Sequence, residues 1–353
     1  MIPKQQKQKF GQRFLDGFRA AGAVEVAPDI LLPAETLLDL YGEDIRARAY
    51  VTQDPIRGEM MLRPDFTVPV VQMHMQDGAE PARYCYLGEV FRKQDMGDTR
   101  PENPRDNEYL QCGYELFAHD PNADAEVFAL FHRQLAGYDL QAETGDMRLM
   151  FDAVRGLPIA PARRDALLHH IWRPVRFRRL LDRFSAPAKP RDFPASSVAW
   201  AGLRSKDEMV SRIARLEADL SEPPLPAIWS ERLTQLLALR APAPQALAQL
   251  HKIAADMPAI AGAVARIEDR FAAIAALGID PANVNFDASH GRTTMEYYDG
   301  FTFSFLASRP DWPPVASGGR YDALMVVLGK GRTIPAVGGI IRPGLVAELE
   351  AGL

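Results

Sequence analysis

YCYLGEVFRKQDMGDTRPENPRDNEYLQCGYELF, residues 84–117, reads as two strands joined by a long, charged, proline-containing loop. In the first strand Tyr84, Tyr86, Gly88, Val90 and Arg92 share one face, and Cys85, Leu87, Glu89 and Phe91 share the other. In the second, Tyr109, Gln111, Gly113, Glu115 and Phe117 lie together, with Leu110, Cys112, Tyr114 and Leu116 opposite. Gln111 and Glu115 therefore project from one face with small Gly113 between them, and Arg92 ends the first strand. A carboxylate can hold an ammonium, and an arginine can grip a carboxylate or phosphate in a fork. The same alternation fits a hairpin whose polar face is merely solvated, and the stretch by itself favours that plainer reading.

Upstream, Phe10, Phe14, Leu15 and Phe18 recur at helical spacing over residues 4–22. A short strand and a helix around Glu35–Leu40 follow, then strands near Ala49–Gln53 and Glu59–Arg63. The break Arg63-Pro64-Asp65-Phe66-Thr67 leads into a helix carrying Val68, Val71 and Met75; capping alone accounts for Asp65 or Thr67 there. Downstream, Val127, Leu130, Phe131 and Leu135 mark another helix, and GDMRLMFDA reads as a strand. From about 153 to 275 alanine, arginine, leucine and proline dominate, giving short helices broken by proline. The arginines between 173 and 183 fit an exposed helix face better than an anion site. His169 and His170 are adjacent, so on a helix they point about 100° apart, and no metal site is expected. Strands return after residue 283, with two short strands or a bulged one over Tyr297–Phe305. Gly318-Gly319 is a glycine-rich lead into a helix, without the spacing of a phosphate-binding loop.

At 353 residues the chain has room for two domains, or for one large domain with an insertion. Hydrophobic residues at 47% and charged ones at 25% are ordinary for a globular protein, and the net charge of −5 argues against a dedicated nucleic-acid binder. Two cysteines cannot build a disulfide framework, the N-terminal residues lack a signal peptide's apolar segment, and no run has membrane-spanning length. A reducing cytoplasm is the expected setting.

Four separated segments then fit one pattern. MLRPDFT, YLGEVFR…EYLQCGYELF, MEYYDGFTF and SGGRYDALMVVLG…PAVGG resemble, in order, four elements of histidyl-tRNA synthetase. The resemblance covers roughly residues 5–150 and 283–345. It implies an α+β, class II aminoacyl-tRNA synthetase-like fold, a mostly antiparallel sheet flanked by helices and usually dimeric. Residues 1–152 and 276–353 would form the core, and 153–275 a helical insertion or second lobe. By position, Asp65, Thr67, Gln111, Glu115, Tyr297, Tyr298 and Tyr321 match residues lining the family's histidine pocket. Arg92 matches the arginine that contacts the adenylate phosphate. Arg292 stands one residue away from a further family arginine, whose own place is taken by Thr293. Tyr297 and Tyr298 would alternate on a strand, so one of them, Tyr298, is expected to face the site.

The positions of chemistry depart from the family. Lys93-Gln94-Asp95-Met96 replace its acid-arginine-proline-glutamine, Asn107 replaces an arginine, and Leu345 stands where the last motif has its ATP-contacting arginine. One such preorganised donor typically supplies ~2.7–4 kcal/mol of transition-state stabilisation, so activation of histidine by ATP is expected to be lost. The family also continues into an anticodon-binding domain of about a hundred residues, and here none is expected. This combination resembles the synthetase paralogue that serves as the regulatory subunit of ATP phosphoribosyltransferase. The resemblance implies a non-catalytic, cofactor-free partner of a short-form catalytic subunit, required for the first step of histidine biosynthesis and relaying feedback by histidine. The alternatives are an active enzyme forming histidyl-adenylate and a tRNA-binding relative using Arg173, Arg176, Arg178, Arg179 and Arg183.

Overall fold

The computed structural model describes residues 2–41, 48–93, 107–190, 204–292, 297–329 and 333–352. Helix α1 (Lys4–Ala20) buries Phe14, Leu15 and Phe18, as its spacing dictates. β1 (Val24–Glu25), β2 (Leu31–Pro33) and α2 (Ala34–Tyr41) precede a hairpin of β3 (Val51–Asp54) and β4 (Gly58–Leu62). The Asp54 carboxylate closes that turn by accepting from the amides of Ile56 and Arg57, and Gly58 supplies the required positive φ of 79°. After α3 (Thr67–Asp77) come β5 (Ala82–Phe91), β6 (Glu108–Phe117), α4 (Ala123–Gln134), β7 (Leu140–Asp146) and α5 (Met147–Arg155). The helices α6 (Pro161–His169), α7 (Pro174–Phe184), α8 (Lys206–Leu220) and α9 (Ala227–Ala238) lead to β8 (Arg240–Pro242), α10 (Ala243–Asp256) and α11 (Ala261–Ala276). The chain then runs through β9 (Val284–Asp287), β10 (Phe301–Ala307), β11 (Ala316–Arg320), α12 (Asp322–Leu328), β12 (Ala336–Ile341) and α13 (Pro343–Glu350).

One large sheet has the order β1-β5-β6-β12-β11-β10-β7-β9-β8, antiparallel except at β1–β5 and β7–β9; β2, β4 and β3 form a second, smaller sheet. The alternation read from residues 84–117 sets the two faces of the large one. Cys85, Cys112, Tyr114 and Leu116 join Phe14, Phe18 and Phe131 in the larger core. Tyr86, Val90 and Phe117 face the other way, against Phe66, Val70, Val71, Tyr321 and Met325. The loop between the strands falls, over residues 94–106, outside the described residues, as does Thr293.

Several local expectations change. Only the start of GDMRLMFDA is strand: Asp146 ends β7 and caps α5, its carboxylate accepting from the Arg148 amide at 2.9 Å. Met147, Met150, Ala153 and Val154 then supply a helical period that a nine-residue window can hide. Tyr297 and Tyr298 precede β10 rather than lying on a strand. Gly318 and Gly319 sit inside β11, where they allow close packing: a Cβ on Gly318 would lie 2.2 Å from the Gly338 carbonyl oxygen. Among the described residues of the 153–275 stretch the regular elements are helices apart from β8, which pairs with β9 at the edge of the large sheet.

A buried charge network crosses these elements. Asp124, 5% exposed, receives Arg270 of α11 at 2.9 Å and Arg320 of β11 at 2.7 Å. Arg320 also reaches Asp322, which is paired with Arg148, while Arg270 reaches Asp146. The two guanidiniums hold the Asp124 carboxyl below its usual range despite its burial. Removing one member of such a group strands the others, at about 3–5 kcal/mol. Asp124→Ala is therefore expected to lower the unfolding free energy by about that amount in urea titrations. A loss below about 1 kcal/mol, the range of exposed pairs, would contradict the assignment.

Candidate functional site

The register of β5 on β6 builds the site. Tyr86 lies opposite Gly113, and Gly88 opposite Gln111. Neither glycine is replaceable in this arrangement. A Cβ on Gly113 would lie 2.2 Å from the Tyr86 ring, and one on Gly88 would lie 2.6 Å from an Arg63 nitrogen. The vacated space holds a stack: Arg63 lies 3.9 Å from the Phe66 ring centroid, and Phe66 lies 4.1 Å from that of Tyr86. The stack aims the Tyr86 hydroxyl at Glu115, to which it donates at 3.0 Å. On the other side β12 supplies Gly338 opposite Glu115, where a Cβ would overlap the carboxylate.

Glu115 is 1% exposed and accepts three hydroxyl bonds: Tyr86, Thr67 at 3.3 Å and Tyr321 at 2.6 Å. Among the described residues no cation is paired with it. Burial pushes its carboxyl up to about 7; the three hydroxyls oppose that shift, and nearby Asp65 adds to it. Tyr86 and Tyr321 are in turn held well above the ordinary phenol range by burial and by the Glu115 charge. A carboxylate offers about four lone-pair directions, so Glu115 retains one acceptor position.

The other predicted residues distribute unevenly. Asp65 is buried beside the start of α3, where it accepts weakly from the Val68 amide at 3.4 Å. Thr67 relays between Glu115 and the hydroxyl of Tyr297, which donates to it at 3.4 Å. Because Tyr297 and Tyr298 lie in an irregular segment, strand alternation does not separate them. Tyr297 packs edge-on to Tyr321, and Tyr298, 4.9 Å from Tyr297 between centroids, is raised by burial and by Glu115. Asp299 ties this segment to α12 by accepting from the Asp322 and Ala323 amides. Gln111 is 2% exposed, and its Oε1 is buried with no hydrogen-bond partner among the described residues. Four residues at ~3.4 Å rise put Gln111 and Glu115 about 14 Å apart along the strand, room for a small zwitterion between their side chains. Arg92 lies at the edge, donating through Nε to the Pro64 carbonyl at 2.7 Å.

Arg292 is not brought to this cluster. Its Nε donates to the Ile171 carbonyl at 2.9 Å, and its guanidinium lies 4.7 Å from the Phe177 ring centroid. Displacement by one residue from the family's position is enough to redirect it. Of the arginine cluster on α7, Arg183 is paired with Asp219. Leu345 packs against the larger core. A cavity of about 270 Å³ lies elsewhere, lined by Arg163, Arg183, Lys189 and Leu216; both of its arginines are engaged by Asp219. Sequence reasoning missed Tyr86 and Gly338. The register would have found Tyr86, since it faces the gap at Gly113, whereas Gly338 needed the β12–β6 pairing.

In chemical terms the arrangement suits a cation carrying several N–H donors. It holds two neighbouring carboxyl groups, one with neutral donors only, a tyrosine wall and an unsatisfied amide oxygen. Among the described residues no group of three His, Cys, Asp or Glu side chains could hold a metal ion, and no helix is long and apolar enough to cross a membrane.

The histidyl-tRNA synthetase family profile matches residues 3–193 and 194–343. The ATP phosphoribosyltransferase regulatory subunit of Agrobacterium fabrum is 32% identical over 94% of this chain and 94% of its own length. That of Allorhizobium ampelinum is 33% identical over 93% and 94%. Among solved structures, an ATP phosphoribosyltransferase regulatory subunit/histidyl-tRNA synthetase from Bacillus halodurans superposes with a TM-score of 0.73 at 21% identity, covering 99% of this chain and 80% of that one. A histidyl-tRNA synthetase from a Nostoc species gives 0.67 at 16% identity, covering 99% and 73%. These structures show the fold alone: α+β, of the class II synthetase type.

Glu115 fixes a pH signature of the ligand-free protein. Its folded-state value of about 7 lies above the ordinary 4.5, so the folded chain binds the extra proton. Its contribution is fully present below about pH 4.5 and is lost as pH rises through about 7, at roughly 3 kcal/mol in all. Glu115→Gln removes this component. Urea titrations at pH 5.5 and 8 are expected to give a smaller stability difference in the variant than in the wild type. Equal differences would show that Glu115 titrates normally.

Proposed function

The chain belongs to the ATP phosphoribosyltransferase regulatory subunits, a family with the histidyl-tRNA synthetase fold, and on that premise we propose that it senses free histidine for a short-form catalytic subunit while performing no chemistry itself. In this reading Asp65 and Glu115 meet the ligand's ammonium and imidazole N–H groups. Gln111 completes the polar cradle, and Thr67, Tyr297, Tyr298 and Tyr321 shape its walls. Arg92 stands at the carboxylate end. The observation that carries the proposal is the buried Glu115 carboxyl group, held by three hydroxyls and by no cation among the described residues.

Loss of the synthetase reaction follows from what the chain carries in place of the family's chemistry. Leu345 is an apolar side chain packed against the core where an ATP-contacting arginine is expected, and Pro343 opens α13. A pocket that binds without reacting acts through linkage: histidine shifts the assembly between active and inhibited arrangements by its difference in affinity, ~1.4 kcal/mol for each tenfold. The assembly proposed is a cytoplasmic hetero-oligomer built on a dimer of this chain. Exposed Ile30, Leu31, Val51 and Ile56, around the small sheet, offer apolar surface for such contacts.

The test is co-purification with a short-form catalytic subunit, then calorimetric titration of the complex with histidine and an activity assay with and without it. Histidine binding requires an ionised Glu115, which is about half protonated at pH 7, so binding releases a proton. Wild-type affinity is therefore expected to fall roughly tenfold more than that of Glu115→Gln between pH 7.5 and 6, the variant cancelling the ligand's own titration. Glu115→Gln should weaken binding by about 10- to 100-fold at pH 8, the scale of one charge-assisted bond, while leaving assembly intact. Histidine-dependent exchange of pyrophosphate into ATP by the purified chain would overturn the non-catalytic reading.

A further inference from the structure

Where the helical region meets the large sheet, several hydrogen-bond donors point at no acceptor. Arg292, 5% exposed, spends its Nε on the Ile171 carbonyl and lays its guanidinium against Phe177. Its Nη2 is buried with no hydrogen-bond partner among the described residues. The residues flanking Ile171 repeat the pattern, because His170 Nδ1 and Trp172 Nε1 are also buried and without a partner among the described residues. The indole nitrogen can only donate, and the imidazole nitrogen can donate in one tautomer. Native proteins rarely leave one such atom, and three on Arg292 and on the two residues that flank its carbonyl partner in the chain call for an explanation.

The charge there has one sign. Burial, followed by repulsion from Arg178, lowers the Arg292 guanidinium to about 10. His170 is lowered by burial and then by His169, Arg173 and Arg176. Among the described residues no carboxylate is paired with Arg178, whose Nη1 donates to the Thr234 hydroxyl at 3.2 Å. Arg178 is exposed and follows Phe177, the residue against which the Arg292 guanidinium lies.

We propose that this junction is a binding site for a small oxyanion, a phosphate or carboxylate group, received by Arg292 Nη2 and Arg178 with the Trp172 indole N–H as a further donor. A guanidinium with one free edge suits such a group, and a second arginine supplies the opposing charge. The bound anion would satisfy the orphaned donors and tie α7 to the turn before β10. This assigns Arg292 to a site distinct from the Glu115 cradle, one that operates whether or not the cradle holds histidine.

Thermal unfolding of the purified chain in sodium phosphate, in sodium acetate and in sodium chloride of matched ionic strength tests it. Phosphate or acetate is expected to raise the midpoint by on the order of 2–4 °C above chloride, the larger response naming the ligand class. Arg178→Gln and Trp172→Phe should each at least halve that increment, and Arg292→Met should abolish it. Should Arg292→Met fail to fold, the exposed Arg178→Gln still decides. Equal increments in wild type and variants would reduce the effect to bulk anion stabilisation and overturn the site, as would no increment with either anion.

Discussion

A carboxyl group buried with no paired cation among the described residues is the constraint around which the site is arranged. Glu115 can occupy its place only because Gly338 leaves room on β12, because Tyr86 folds over Gly113, and because Thr67 and Tyr321 bring hydroxyls from two other elements. Neutral donors lower the cost of burial without removing it, and the group stays easily protonated. On the proposed reading, an incoming ammonium supplies the charge that no neighbour among the described residues does, and stability given up in the empty state becomes affinity in the filled one.

The ion-pair network gives that site a mechanical connection. Arg320 and Asp322 bracket Tyr321, and the same two residues bind Asp124 and Arg148. Arg270 carries the network onward to α11, a helix downstream of β8. On the proposed reading, a change in how Tyr321 meets Glu115 would reach the helical stretch through these ion pairs. Coupling of ligand to assembly needs such a two-sided element, since a ligand shifts an equilibrium only through contacts that differ between its states.

Much of this was legible in the sequence. Strict alternation across Tyr84–Arg92 and Tyr109–Phe117 gave the strand pair, its two faces and the company of Gln111 and Glu115. Resemblance to the synthetase elements added Asp65, Thr67 and Tyr321, which the structure brings to the same cluster. What failed had local physical causes. Adjacent Tyr297 and Tyr298 could be separated only by a strand, and the chain there is irregular. The glycine pair at 318–319 looked like a loop because composition does not reveal two strands approaching until Gly338 is set beside it. Arg292 was drawn to the pocket by family position, yet a single-residue shift sends it to Ile171 and Phe177. The helix at Met147–Arg155 hid behind the strand that runs into it.

The most direct test is infrared difference spectroscopy of the assembled complex at pH 6.5, recorded before and after histidine is added. The account predicts that the band of a protonated carboxyl group disappears and a carboxylate band appears on binding, and that Glu115→Gln abolishes this change. Saturating histidine that leaves the carboxyl bands unaltered, or alters them equally in the variant, would contradict it.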